Sequence, residues 1–161
     1  MVSLFATEHL QAQEYKSSIG VRLGSPWSSS YKTFISEPGA IELFANVRGR
    51  TYFGASWARL GFGGAYQHHF DLEIDELPGL YAYVGAGATA YLWVYSDNDA
   101  FNEFSNLSFG IQGYVGLDYS FEDVPLNLSL DWSPTLFFGD VLIDNFGFGY
   151  GAVSVRYILS R

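Results

Sequence analysis

The chain has 161 residues, a formal net charge of −9 and no cysteine. The negative balance lacks the basic footprint that a nucleic acid requires, and the missing thiols exclude disulfides and thiolate chemistry. Charged residues make up 16% of the chain, against about 25% in an ordinary soluble domain, while aromatic residues reach 19%.

This length suits one domain with a real core or one closed barrel. With 8 Lys plus Arg, the chain has little with which to coat a water-facing surface. No apolar run approaches the ~18–20 residues of a transmembrane helix. A membrane protein of this composition must therefore cross as a closed β-barrel, because open sheet edges cannot be satisfied in hydrocarbon.

Residues 1–13, MVSLFATEHLQAQ, read as the remnant of a secretory signal peptide or as a disordered arm. Residues 14–161 repeat one grammar of alternating strand, turn and alternating strand, the period of two that marks β-structure. In 14–24, Tyr15, Ile19, Val21 and Leu23 oppose Lys16, Ser18, Gly20 and Arg22. A loop at 25–30 precedes a short strand near 31–35 that carries Lys32, and SEPG at 36–39 forms a tight turn. In 40–48, Ile41, Leu43, Ala45 and Val47 oppose Glu42, Phe44, Asn46 and Arg48. A longer loop is expected at 49–56, then a Gly-rich strand at 58–70.

The acidic link DLEIDELPG, 71–79, is longer than the other turns at its end of the barrel. Strand 80–95 sets Ala and Val against Tyr81, Tyr83, Gly85, Gly87 and Thr89. The loop 96–106 follows, and strand 107–121 then opposes Leu107, Phe109, Ile111, Val115 and Leu117 to Ser108, Gln112, Tyr114, Asp118 and Ser120. After a tight turn at 122–125, strand 126–138 alternates Leu126, Leu128, Leu130 and Trp132 with Asn127, Ser129, Asp131 and Ser133. Pro134 has no N–H for the ladder, so pairing should weaken or bulge there. The last strand, 146–159, follows a loop at 139–145 and opposes Val153, Val155, Tyr157 and Leu159 to Ala152, Ser154 and Arg156.

The expectation is an all-β fold: a closed, antiparallel, up-and-down transmembrane β-barrel of about eight strands with a polar, filled lumen. Its enclosed charges must satisfy one another, because a lone buried charge is costly. The expected interior network is Lys16, Arg22, Lys32, Arg48 and Arg156 against Glu42, Asp118 and Asp131. Aromatic residues form two girdles: Tyr15, Tyr66, Phe70, Tyr119, Phe121 and Tyr157 at one end, and Trp57, Trp93, Tyr95, Phe137, Phe138 and Phe146 at the other.

Catalytic signals are thin. His68 and His69 are adjacent, so on a strand they point to opposite faces and cannot share a metal; one is expected at the interface and one in the lumen. Ser129, His69 and Asp131 lack any spacing specific to a nucleophilic triad. The glycine patches at 61–64 and 147–151 have no following helix to cradle phosphate, so they read as barrel kinks. The NLS triplets at Asn106 and Asn127 read as chance. In the loop 96–106, Asp97, Asp99 and Glu103 could hold a divalent cation, but a solvated acidic loop is the better reading. Phe101 and Phe104 there could touch a partner or the membrane surface. No catalytic residue, metal site or cofactor is expected.

Four stretches carry a family resemblance: EYKSSIGVRLG, SYKTFISEPGAIEL, GLYAYVGAGA and GLDYSFEDVPLNLSLDWSP, the last being the most specific. The chain from Glu14 onward resembles a family of small eight-stranded Gram-negative outer-membrane proteins, with barrels similar to OmpX and the OmpA membrane domain. The aromatic Tyr157 suits such a barrel's last strand, whereas the ending ILSR departs from the pattern. The resemblance implies a fold and an address in the bacterial outer membrane, and no activity. Outer-membrane lipid and lipopolysaccharide are then the expected surroundings, with a protein partner through 96–106 or 25–30 and no nucleic acid. The role is structural or interactive, not enzymatic. The alternatives are a soluble lipocalin-like binder of an apolar ligand, with the leucines inward, and a lipid-modifying outer-membrane enzyme.

Overall fold

A computed structural model describes the backbone of residues 15–24, 27–52, 55–96, 104–139, 146–147 and 151–161. Side chains are described for 15–24, 27–47, 59–92, 107–138 and 151–161. The strands are β1 (Ser17–Gly24), β2 (Ser28–Phe34), β3 (Gly39–Tyr52), β4 (Ala55–Asp71), β5 (Leu80–Ser96), β6 (Phe104–Ser120), β7 (Leu126–Trp132), β8 (Thr135–Gly139), β9 (Phe146–Gly147) and β10 (Gly151–Ser160). Each of β1 to β7 pairs antiparallel with its neighbours, and β10 lies between β7 and β1 to close a ring of eight. Closure leaves no free edge in the ring, the property that lets a sheet of this size stand alone.

β8 pairs with β6 in the register already set by β7: Val115 faces Trp132, and Gln112 faces Thr135. Pro134 therefore interrupts the strand without a bulge. Its carbonyl still accepts a hydrogen bond from Gly113 N at 3.0 Å, so only the missing N–H weakens the ladder. β9 pairs with β8 outside the ring.

The long loop expected at 49–56 is not there. β3 and β4 stay paired to Tyr52 and Ala55, which leaves residues 53–54 as the link. The cause is non-local. β4 is held along its length by β5, from Ser56 opposite Ser96 to Asp71 opposite Tyr81, and that support carries the hairpin past the point where apolar alternation fades. At the opposite end, Tyr15 and Arg161, the turns 35–38 and 121–125 and the acidic link 72–79 lie together. We call this the turn end. Gly79 takes a φ of 87° there, a left-handed conformation that favours glycine.

The alternation in sequence becomes an inside and an outside. The outer wall presents Val21, Leu43, Phe62, Ile111, Val115, Leu128, Val155 and, at 57% exposure, Leu130. The buried set is polar: Arg22, Lys32, Glu42, Gln67, Asp118, Asn127, Asp131 and Arg156 are all enclosed. Asp131 thus faces the lumen while Leu128 and Leu130 face out. A lipocalin-like arrangement, with the leucines inward, is not the arrangement of this barrel.

The glycines of the 61–64 patch act by lacking a side chain rather than by kinking, since positive φ among the described glycines occurs at Gly79. A Cβ on Gly63 would come within 2.6 Å of the Phe44 ring, and one on Gly61 within 2.6 Å of Asn46 and Tyr91. These glycines make room for rings inside a narrow lumen.

Candidate functional site: the charged lumen

Adjacent strands deliver the charges from opposite walls. Arg22 projects inward from β1, Lys32 from β2, Glu42 from β3, Asp118 from β6, Asp131 from β7 and Arg156 from β10. In the upper part, Arg22 spans two carboxylates, with Nη1 2.8 Å from Glu42 Oε2 and Nη2 2.8 Å from Asp131 Oδ1. Arg156 Nη2 lies 2.5 Å from Glu42 Oε1, and its other nitrogens donate to Ser30, Ser129 and Asn127. Gln67 Nε2 donates to Glu42 at 2.6 Å, and the Tyr83 hydroxyl donates to Asp131 at 3.0 Å.

A second group lies toward the turn end. Lys32 Nζ donates to Asp118 Oδ2 at 2.5 Å and lies 2.9 Å from His69 Nε2. Asp118 also accepts from the Tyr15 hydroxyl at 3.1 Å and from Asn127 Nδ2 at 2.6 Å. Asn127 joins the groups, since its Oδ1 accepts from Arg156 while its Nδ2 donates to Asp118. Among these six described groups the charges balance, Arg22, Lys32 and Arg156 against Glu42, Asp118 and Asp131. Such balance is the condition for keeping charge in a low-dielectric interior.

The structure brings together six of the eight residues expected in the network. Lys16 is not among them: it is exposed, outside the lumen. Pairing of β1 with β10 slips between Ser17 and Ser18 and the strand ends there, so alternation does not carry into residues 15–16. For the same reason Tyr15 leaves the expected girdle and turns inward to Asp118, 3% exposed. The side chain of Arg48 lies outside the described residues, as do those of Trp57, Trp93, Tyr95 and Phe146 and the whole acidic segment with Asp97, Asp99 and Glu103. Phe137 also departs from its expected girdle, with its ring centroid 6.2 Å from that of buried Tyr91. Tyr66, Phe70, Tyr157 and Phe138 do face outward. His69 is lumenal and His68 is half-buried on the other face.

Arg59, Gln67, Tyr83 and Asn127 join the polar interior from outside the expected set. Alternation on β4 places Arg59 in phase with Gln67 and His69, and its guanidinium sits 4.4 Å from the Tyr91 ring centroid. Counting back in twos from His69 would have found it. Among the described residues no group of His, Asp or Glu is arranged to hold a metal ion.

Compared with protein-family models, curated proteins and solved structures, the chain matches none of them. The likeness to the OmpX and OmpA barrels thus rests on the quoted residues. A closed β-barrel is compatible with an outer-membrane protein.

Proposed function

We propose that this chain is an outer-membrane β-barrel of Gram-negative type, with a structural or interaction role and no catalytic chemistry. The observation that carries the reading is the inverted burial: leucine, valine and phenylalanine outside, arginine, lysine, aspartate and glutamate inside. In water that distribution exposes a continuous apolar wall far larger than a monomeric soluble protein shows. In a bilayer it places every strand's apolar face against lipid and every backbone hydrogen bond inside a closed ladder. The turn end, with Tyr15 and Arg161, faces the periplasm, and lipid with lipopolysaccharide surrounds the apolar wall.

A structural role is supported by what the lumenal charges do. Each carboxylate of the network is engaged by a cation, and His69 is held between Lys32 and Asp118 rather than beside a free hydroxyl. The test is refolding into phospholipid vesicles. Leu128→Arg and Leu130→Arg should each cost roughly 2–4 kcal/mol near the bilayer midplane, while arginine at exposed Glu122 should cost little. Equal tolerance at all three positions would remove the lipid-facing reading.

A further inference from the structure

The link 72–79 between β4 and β5 carries apolar side chains that the barrel does not cover. Leu72, Ile74 and Leu77 are between 38% and 46% exposed, interleaved with the exposed acids Glu73, Asp75 and Glu76. Local hydrogen bonds set the shape of the link. Leu72 N donates to Leu80 O at 3.4 Å, which carries the β4–β5 ladder past Asp71. Leu77 N donates to Ile74 O at 2.9 Å, and Leu80 N to Leu77 O at 3.3 Å, so the chain returns through two turns. Glu73 takes a φ of 48°, a left-handed conformation that is costly for a residue with a side chain, and Asp71 Oδ1 accepts from its N–H at 2.8 Å.

The direction of these side chains follows from β4. Gly61, Gly63, Ala65, Gln67 and His69 face the lumen, while Phe62, Tyr66 and Phe70 face out. Leu72 is the next outward position. A cavity of about 300 Å³ opens into the lumen at the turn end, with Tyr15, Phe34, His69 and Tyr81 in its lining. None of Leu72, Ile74 and Leu77 lines it. The link therefore does not fold over the mouth; it prolongs the outer wall.

What it prolongs is the aromatic end of that wall. Tyr66, Phe70 and Tyr157 are exposed there, and Tyr119 packs edge-on against Phe121 with ring centroids 4.8 Å apart. Rings gathered near strand ends suit the level where a bilayer meets water. Apolar side chains just beyond them, alternating with carboxylates, suit the headgroup boundary: the first group enters and the second stays wet.

We propose that the link 72–79 is an interfacial anchor that rests on the phospholipid leaflet at the turn end. Leu72, Ile74 and Leu77 enter the boundary between headgroups and acyl chains, and Glu73, Asp75 and Glu76 remain in water. The occupant is a lipid surface because the link continues the wall that faces lipid, and the inference rests on that reading of the wall. Its effect is to fix the depth of the barrel on the β4–β5 side, which a short polar turn does not do.

The chain has no cysteine, so single cysteines introduced into the full-length protein report one site each. Leu72→Cys, Leu77→Cys, Leu128→Cys and Glu122→Cys are labelled with an environment-sensitive fluorophore and refolded into phosphatidylcholine vesicles. The quencher is a nitroxide lipid, with its nitroxide either near the headgroup or deep in the chain. Labels at positions 72 and 77 should be quenched at least about twofold more by the shallow nitroxide than by the deep one. The label at 128 should show the reverse order, and the label at 122 should be quenched less than either link position. With the label moved to Ile74→Cys, Leu72→Asn with Leu77→Asn should lose most of the shallow quenching, whereas Leu72→Met with Leu77→Met should keep it. Quenching at 128 with none at 72 and 77 would overturn the anchor and leave the lipid-facing wall intact. Equal quenching at 122 and 77 would reduce the effect to mere nearness of the membrane and overturn it as well. So would a label at 77 that is shielded only as protein concentration rises, since a second copy would then cover the link. No quenching at 128 would remove the lipid-facing wall itself, and the anchor with it.

Discussion

Lys32 has no exposed surface, and the anion that compensates it is Asp118 at 2.5 Å, with His69 as the other polar neighbour. Arg22 differs, because it bridges Glu42 and Asp131 and keeps one carboxylate when the other is removed. This asymmetry orders the consequences of deletion. Asp118→Ala leaves a buried ammonium without a counter-charge and should destabilise the barrel by about 3–5 kcal/mol. Asp131→Ala should cost clearly less. The double change Lys32→Met with Asp118→Leu should recover much of the first loss, because a buried ion pair can be replaced by packed apolar groups. Urea titrations of the refolded variants in one detergent would rank them; an Asp131→Ala loss equal to or above that of Asp118→Ala would contradict the geometry.

Among the elements, β4 shows how a glycine-rich sequence can be a rigid part of the wall. Phe62, Tyr66 and Phe70 cover the outside, while Gly61, Gly63, Ala65, Gln67 and His69 face in, and the small members receive rings from neighbouring strands. Gly63→Leu would drive a side chain into the Phe44 ring and the carbonyl of Ala88, which cannot retreat. Overpacking of this kind costs typically about 1–3 kcal/mol and should slow or abolish folding into vesicles. Phe44→Ala should restore space, so Gly63→Leu with Phe44→Ala should fold better than Gly63→Leu alone. Heat-modifiable gel mobility separates these outcomes, and a double variant no better than the single one would mean the contact is not limiting.

For the whole molecule, the question is whether an eight-stranded ring encloses a path. At the level of Arg22, Glu42 and Arg156 the interior is filled by side chains that hydrogen-bond across it. The void beside them, near Asn46, Tyr91 and Tyr114, is about 40 Å³, room for water but not for a continuous column of ions. The barrel should therefore show no steady open-channel current in planar bilayers. Replacing Arg156 and Glu42 together by alanine should introduce conductance if that crossing is the barrier. A stable conducting state of the unaltered chain would show that the charged crossing opens.

The period-two alternation was legible in the sequence by itself, and with it the all-β class, the eight staves and the face on which Glu42, Asp118, Asp131 and Arg156 lie. That is because strand geometry ties each residue's side to its parity, whatever the strand's partners. The scarcity of charge already pointed to an apolar exterior. Only tertiary structure decided where parity stops holding: Lys16 and Tyr15 exchanged roles at the slip between β1 and β10, and residues 49–52 became strand because β4 and β5 held the hairpin. It also decided which cation meets which carboxylate, and it set His69 in the lining of a cavity at the turn end. Those outcomes depend on residues far apart in the chain, such as Lys32 with Asp118 and Arg156 with Glu42, brought within hydrogen-bond reach only when the ring closes.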